Sequence, residues 1–379
     1  MIPRYDFCVL AALLIVMASS DALARTWYVA PDGLDDAEGT EQAPFATWQR
    51  AIDEALPGDT ILVRAGTYVV QGTQGVRIAR SGRPDAPVTL RSTGGRALLD
   101  CSEVPSEAGL ACLHLLADWW VLREVDITRA RQGFRHSWSI GVLIEDASNN
   151  RLDQVASYEN EGTGILVTGS SSNNRLVNCD SYRNVDRLTR PPGGDADGIG
   201  FKFLPPSAQG NEIVACRTWA NSDDGVDLWH AEAPVTIRSS WAFWNGYLPG
   251  SAVPAGDGVG FKLGRNETGP RHRIIGSLSL ENRYAGFDSN GAAGPIEVLD
   301  SAAIDNGMAG FVFPEPGHRL SDLALAGNPA WEDHQEEDAS TVLPPSIVRC
   351  IAGSREIDGP RRTDGSLPHL GCGWPTSSD

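Results

Sequence analysis

Positive charge is scarce in this chain, and lysine is almost absent. The 379 residues include 31 Lys and Arg against 49 Asp and Glu, so the formal net charge is −18. A protein that binds duplex nucleic acid usually carries a basic surplus, so nucleic acid is disfavoured as a partner. The same shortage argues against electrostatic attachment to an anionic membrane. Only two of the basic residues are lysine, Lys202 and Lys262, and the other 29 (31 − 2) are arginine.

Long hydrophobic runs are also missing, apart from a short one near the N-terminus. The apolar run from Phe7 to Met17 follows Arg4 and precedes Ala22-Leu23-Ala24, which is the pattern of a secretory signal peptide. The run is too short to span a bilayer as a helix, although an uncleaved anchor is the alternative. We therefore expect residues 1–24 to be removed, and a secreted or periplasmic protein without a membrane span.

Cysteine is sparse as well, with seven in the whole chain. Cys8 lies in the predicted signal peptide, and export permits disulfides among the other six. Cys179 and Cys216 occupy equivalent positions of the repeat described next, so we expect them to stack, either as two thiols or as a disulfide. The local pairs that we expect are Cys101–Cys112 and Cys350–Cys372.

Helical periodicity is absent from the middle of the chain, where short apolar segments repeat instead. Each unit contains a Gly before a short alternating segment, then a second apolar segment that ends near an Asn. At intervals of 24, 37, 24, 37, 24 and 22 residues, these are Asn160, Asn184, Asn221, Asn245, Asn282, Asn306 and Asn328. A base period of 22–24 residues is too short for paired-helix repeats. The pattern predicts an all-β fold, a parallel β-helix whose Asn side chains stack at one turn.

A different segment precedes these coils. Trp27–Val29 and Ile61–Val63 have the composition of strands, and residues 47–56 form an amphipathic pattern that ends at Pro57-Gly58. The end of a β-helix exposes its core, so we expect this helix to cap it, within an N-terminal region of about residues 26–100.

The repeat is lost towards the C-terminus. Residues 331–379 contain an acidic run, several prolines and the last two cysteines. We therefore divide the chain into a β-helix domain, residues 25–330, and an irregular C-terminal tail that lies along or over the last coils.

Three units carry an Asp-Gly pair, and their alignment predicts the outer face of the coil. Alternate residues of a strand point to opposite sides, so aligning the units on these glycines separates inward from outward positions. The outward columns are then Gly200–Asp227–Gly260 and Lys202–Trp229–Lys262. Asp227 would have glycine on both neighbouring rungs, which leaves room for a ligand.

Carboxylates concentrate at the start of the same strands. Asp223, Asp224 and Asp227 lie in one unit, and Asp197 lies in the unit before it. Such a cluster is unfavourable unless something positive sits within it. Oxygen ligands without nearby His or Cys suit Ca²⁺. The pattern favours a calcium site over the alternative that aspartate is simply a common turn residue.

The two lysines lie in the same region. Arginine stays protonated at ordinary pH, whereas a lysine whose pKa falls can act as a base. In the aligned columns, Lys262 lies one rung beyond Asp227, within reach of a sugar held by a metal there. The alternative role for Lys262 is an ion pair with the aspartates, and the columns do not choose between Lys262 and Lys202.

Two insertions interrupt the repeat, at residues 185–196 and 246–256, each before an Asp-Gly strand. One coil separates them, so they would flank Asp227 as the walls of a cleft. The first insertion carries Arg187 and Arg190, which suit substrate carboxylates. Loops on one side of a solenoid usually carry function, although these could also be surface decoration.

These segments resemble the pectate lyases of polysaccharide lyase family 9. Asp257–Gly264, with the sequence DGVGFKLG, is similar to that family's Gly-Phe-Lys-Leu-Gly signature. Asn221–Asp227, with the sequence NSDDGVD, is similar to its calcium motif, and Trp27–Pro31 and Pro57–Ile61 are similar to its N-terminal cap. The resemblance covers roughly residues 26–310 and implies a right-handed parallel β-helix.

The resemblance implies a secreted lyase that breaks pectate or polygalacturonate by calcium-dependent β-elimination. It chooses Lys262 over Lys202 as the Brønsted base. Arg265 stands beside the base where a second glycine is commoner, which bears on substrate preference. The implied calcium ligands are Asp197, Asp223, Asp224 and Asp227. The substrate contacts that we predict are Lys202, Trp229, Arg187, Arg190, Asp257, Arg265 and His272.

Two other functions compete with this one. Asp223-Asp224 is similar to the paired carboxylates of β-helical polygalacturonases, which hydrolyse without a metal, but their Gly-His-Gly and Arg-Ile-Lys motifs are missing from the sequence. A non-catalytic carbohydrate-binding β-helix would use its insertions only for recognition. In every case we expect a monomer whose partner is an acidic polysaccharide.

Overall fold

The computed structural model describes residues 24–105, 111–133, 139–332, 341–342, 345–354 and 357–370. The predicted signal peptide, apart from Ala24, lies outside these residues. So does Cys372, and with it the predicted pairing to Cys350. Among the described helices, none is both long and apolar enough to cross a membrane.

The strands form three ladders, and every pairing within them is parallel. The first ladder contains β1 (Thr26–Val29), β2 (Thr60–Val69), β4 (Val88–Asp100), β6 (Trp120–Arg123), β9 (Arg151–Asp153), β12 (Arg175–Val177), β15 (Asn211–Val214), β18 (Val235–Arg238), β21 (Arg273–Ile275), β24 (Glu297–Leu299) and β27 (Arg319–Ser321). The second ladder continues from the ends of β2 and β4 through β7 (Val125–Thr128), β10 (Ala156–Tyr158), β13 (Asp180–Tyr182), β16 (Arg217–Trp219), β19 (Trp241–Phe243), β22 (Leu278–Leu280), β25 (Ala302–Ile304), β28 (Ala324–Ala326) and β30 (Thr341–Val342).

The third ladder carries the candidate site. It contains β3 (Val76–Ile78), β5 (Leu113–Leu115), β8 (Val142–Glu145), β11 (Ile165–Thr168), β14 (Ile199–Phe201), β17 (Val226–Asp227), β20 (Phe261–Lys262), β23 (Ala285–Asp288), β26 (Ala309–Val312) and β29 (Ala330–Glu332). Each coil of the chain contributes one strand to each ladder, so the molecule is the predicted right-handed parallel β-helix.

The N-terminal helix forms as expected, slightly shorter than predicted. Helix α1 covers Trp48–Glu54, and the side chain of Thr47 caps it by accepting a hydrogen bond from the Arg50 amide. Trp48, Ala51 and Ile52 are buried and belong to the main core. The helix therefore covers the apolar interior of the first coils.

The predicted asparagine ladder is present from Asn160 to Asn328. From Asn160 to Asn328, each side-chain Nδ2 donates to Oδ1 of the next asparagine at 2.9–3.1 Å. Phenylalanines stack similarly inside the third ladder, with ring centroids of Phe261, Phe287 and Phe311 at 4.8 and 4.9 Å. These stacked contacts hold successive coils in register.

The cysteines follow the predicted pairing where the structure describes both partners. Cys101 and Cys112 form a disulfide. Cys179 and Cys216 are buried free thiols on consecutive rungs, and the Cys179 amide donates to Cys216 Sγ at 3.3 Å. Of the two alternatives, the structure therefore has the stacked thiols.

The described part of the C-terminal tail includes regular structure that its sequence does not predict. It contains β30 and helix α2 (Pro345–Ala352), and its apolar residues Ile351, Ile357, Leu367 and Leu370 pack on the outer side of the second ladder. A buried ion-pair network, in which Asp180 binds Arg217 and Arg361, fixes the tail there. Packing on this surface, rather than local sequence pattern, orders the tail.

Candidate active site

The register of the third ladder differs from the predicted columns at one strand. Asp227 pairs with Gly200 on one side, as expected, but with Lys262 rather than Gly260 on the other. Gly260 instead lies beside Gly225 on the neighbouring rung. A Cβ atom at position 260 would lie 2.3 Å from Ser279 Oγ. The predicted pairing of Asp227 with Gly260 was therefore wrong by two residues. In the observed register, Lys262 lies directly beside Asp227.

Three carboxylates converge at the turn before these strands. Asp197, Asp223 and Asp224 are buried, and each offers a ligand atom within 4.8 Å of the others. Asp197 Oδ1 is buried without a hydrogen-bond partner. Oxygen donors at this spacing, with one oxygen unsatisfied, fit a hard divalent cation.

Two backbone amides just after the second insertion orient two of these carboxylates. Asp223 Oδ1 accepts a hydrogen bond from the Asp257 amide at 2.5 Å, and Asp224 Oδ1 accepts one from the Val259 amide at 2.7 Å. The two insertions also meet, because a Cβ on Gly193 of the first would lie 2.7 Å from Cβ of Ala255 in the second. Backbone at the end of the second insertion and just after it therefore lies against the carboxylate cluster, and the first insertion lies against the second.

Both lysines pair with carboxylates. Lys202 Nζ lies 2.6 Å from Asp197 Oδ2 and 2.6 Å from Asp227 Oδ2. Lys262 Nζ lies 2.9 Å from Asp224 Oδ2 and 2.5 Å from Asp257 Oδ2. The ion-pair contacts that the sequence offered as the alternative for Lys262 are therefore present, and Lys202 makes equivalent contacts.

Burial makes the carboxylates hard to ionise. It raises the pKa of Asp197 to about 6 and that of Asp224 to about 7, and raises the pKa of Asp223 well above its ordinary value. Neighbouring aspartates add to the effect, whereas the lysines oppose it. A cation bound among these oxygens would favour their charged forms.

The pKa values of both lysines are raised, whereas a lysine that acts as a base needs a lowered pKa. Burial alone would lower the pKa of Lys262, but the charges of Asp224, Asp227 and Asp223 raise it above its ordinary value. The pKa of Lys202 is raised in the same way by Asp197 and Asp227. Without a bound cation, both side chains are therefore held as ammonium ions.

Sequence reasoning missed Asp288. It pairs with Lys262 on the next rung, so Lys262 stands between two aspartates of one outward column. Its Oδ1 accepts from the Asn290 amide at 2.6 Å, and burial raises its pKa. Extending the glycine alignment to Gly286-Phe287-Asp288 would have found it.

The predicted substrate contacts are spread more widely than the carboxylates. Trp229 lines a small cavity together with Lys202. Arg187 and Arg190 are exposed on the first insertion, and Arg265 is exposed after β20.

His272 does not reach this surface. It is fully buried, with Nδ1 accepting a hydrogen bond from the Val235 amide at 3.2 Å and Nε2 3.4 Å from Asn266 Nδ2. Burial also lowers its pKa to about 4, so it is a neutral interior side chain.

These buried carboxylates and lysines on the outer face of a parallel β-helix form a site that can hold a cation and move a proton. Residues 27–320 match the model of the Pel9A-like right-handed β-helix region. The chain belongs to this Pel9A-like family.

Individual relatives agree with that assignment. Pectate lyase L of Dickeya dadantii (strain 3937) is 35% identical over 301 residues, which cover 77% of this chain and 68% of the relative. The crystal structure of pectate lyase Pel9A superposes with a TM-score of 0.77 and 30% identity, covering 92% of this chain and 88% of that one. A rhamnogalacturonan lyase superposes with a TM-score of 0.82 and 25% identity, covering 92% and 96%. The predicted family and the lyase class are thereby confirmed.

Proposed function

We propose that this enzyme is a secreted, calcium-dependent lyase that cleaves polygalacturonate by β-elimination, with Lys262 as the base. The observation that carries the proposal is the convergence of three buried carboxylates beside the Nζ atom of Lys262. The names of the relatives support the polymer, because the Dickeya protein and Pel9A are both pectate lyases.

The donor set supports calcium as the metal. Asp197, Asp223 and Asp224 would hold the ion, and Asp227 would complete the set from the next strand. All four are buried oxygen donors, and Asp197 Oδ1 is free to bind. When bound, calcium would offset the carboxylate charge and draw electron density from a substrate carboxylate.

Lys262 would take the proton from C5 of the uronate ring. The bond from C4 to the glycosidic oxygen then breaks, and a double bond forms between C4 and C5. Asp257 and Asp224 hold the Nζ atom in place before this transfer. Because the lysine must be neutral to accept a proton, we expect activity to rise towards alkaline pH.

The contacts of the two lysines favour Lys262 over Lys202 as the base. Lys202 Nζ bridges Asp197 and Asp227, two buried carboxylates of the proposed calcium set. One partner of Lys262, Asp257, has a side chain that is 65% exposed. A substrate can therefore approach Lys262 from the solvent side and replace that contact.

Other polar side chains would bind the remainder of the polymer. We propose Lys202, Trp229, Asp257 and Arg265 as contacts near the cleaved bond. Arg187 and Arg190 would bind carboxylates further along the chain, since both are exposed on the first insertion. His272 is omitted because it is buried. Export after removal of residues 1–24, and action as a monomer, are parts of the same proposal.

Ultraviolet absorbance of the product tests the proposal. The purified protein is mixed with polygalacturonate in calcium and, separately, in chelator. β-Elimination gives an unsaturated product whose absorbance grows only with calcium. New reducing ends without absorbance would instead indicate a hydrolase. Absence of both signals in alkaline calcium would refute the proposed activity on this polymer.

A further inference from the structure

A second groove lies between the second insertion and the C-terminal tail. Its volume is about 770 Å³, and Trp244 and Tyr247 line it together with Asp358 of the tail. The tail packs firmly on the second ladder, as described above, so both sides of this groove are built from ordered residues. None of the proposed calcium ligands or catalytic groups lines it.

The Trp244 side chain of the groove is held in place before any ligand binds. Trp244 Nε1 donates to Glu281 Oε2 at 2.9 Å, and the indole packs edge-on against Phe243 at 5.0 Å. The backbone of Tyr247 pairs with that of Pro254 in an isolated antiparallel β-bridge within the insertion. Both aromatic side chains are only half-buried. Partly exposed aromatic rings suit the apolar face of a sugar ring, and the fixed ring of Trp244 would bind it at little entropic cost.

The charges of the groove exclude a polyanion. Three carboxylates line it, from Glu281, Asp305 and Asp358, against the single guanidinium of Arg183. None of these carboxylates forms an ion pair with another described residue. They would repel uronate groups, whereas they can accept hydrogen bonds from sugar hydroxyls.

We propose that this groove binds a neutral glycan chain. The second insertion leads from the groove to the cleft, because residues 247–252 line the groove and Asp257, directly after the insertion, donates its backbone amide to Asp223 Oδ1. Uncharged sugars of a branched polymer could thus lie in the groove while its uronate backbone lies in the cleft. Binding in the groove requires no turnover, so the inference can be tested apart from the lyase activity.

Calorimetry with short probes tests the inference. The purified protein is titrated in chelator with β-1,4-galactotetraose, with α-1,5-arabinotetraose and with trigalacturonate. We expect at least one neutral tetrasaccharide to bind. Trp244→Ala and Tyr247→Ala should each weaken that binding about tenfold or more, because each removes one stacking surface. Two separate variants are used in case one fails to fold.

Tyr284→Ala is the matched control. Tyr284 is 37% exposed and does not line the groove, so its loss should leave neutral-glycan affinity unchanged. The inference is overturned if neither tetrasaccharide binds the wild-type protein, or if both folded groove variants bind as well as wild type. It is also overturned if the groove variants weaken trigalacturonate but not the neutral probes.

Discussion

Removing one central asparagine from the ladder should destabilise the fold strongly. In Asn221→Ala, the Asn184 amide loses its acceptor at 3.2 Å, and the Ser181 carbonyl loses a donor at 3.2 Å. Asn221 is fully buried, so water cannot replace these bonds. Each unsatisfied buried group costs about 1–3 kcal/mol, and we expect a loss of about 2–4 kcal/mol.

Asn328→Ala is the matched control at the last rung. Asn328 also accepts hydrogen bonds from the preceding asparagine of the ladder, Asn306, but it is half-buried, so water can take its place. We expect a loss of about 1 kcal/mol there. Urea denaturation with an unchanged m-value measures both. A loss below about 0.5 kcal/mol for Asn221→Ala, or equal losses for both variants, would refute the role of the ladder.

Three further predictions concern charge. Lys202→Met removes a cation 2.6 Å from Asp197 and Asp227, so calcium should bind about tenfold more tightly by calorimetry; unchanged affinity contradicts this. Burial raises the pKa of Asp197 to about 6 and of Asp224 to about 7, so the folded protein binds more protons than the unfolded chain between about pH 4 and 7. The free energy of unfolding in chelator should therefore fall as pH rises through that window. Calcium should raise Tm more at about pH 8 than at about pH 5, and equal Tm shifts at the two pH values would contradict this prediction. Burial opposes ionisation of Asp180, but its two arginine partners lower its pKa overall, so its stabilisation is complete above about pH 4 and lost at more acid pH. Asp180→Asn should lower the free energy of unfolding by about 3 kcal/mol at neutral pH and by little in acid. A loss that does not change with pH would contradict this prediction.

Local patterns in the sequence were sufficient to predict most of the architecture. The spacing of the asparagines predicted the ladder, and the amphipathic pattern of residues 47–56 before Pro57-Gly58 predicted helix α1. The concentration of aspartates at one turn predicted a cluster that the structure brings together as Asp197, Asp223 and Asp224. In each case the determining residues are close in sequence or repeat at a fixed period.

The register beside Asp227 could not be predicted in this way. A shift of two residues leaves every inward side chain inward, so Gly258 and Gly260 fit the alternation equally well. The distinction depends on a close approach between coils, where a side chain at position 260 would collide with Ser279. The tail is similar, because Asp180 and Arg361 are 181 residues apart and no local pattern links them.

The most direct test of the central claim compares variants at Lys262 by ultraviolet absorbance on polygalacturonate. Lys262→Arg keeps the positive charge beside Asp224 but stays protonated, so it cannot take a proton. The account predicts that calcium-dependent absorbance is abolished by chelator. It also predicts that Lys262→Arg and Lys262→Ala, both folded, are slower by about 10²–10⁴-fold. A folded Lys262→Arg enzyme with wild-type turnover would contradict the assignment of Lys262 as the base.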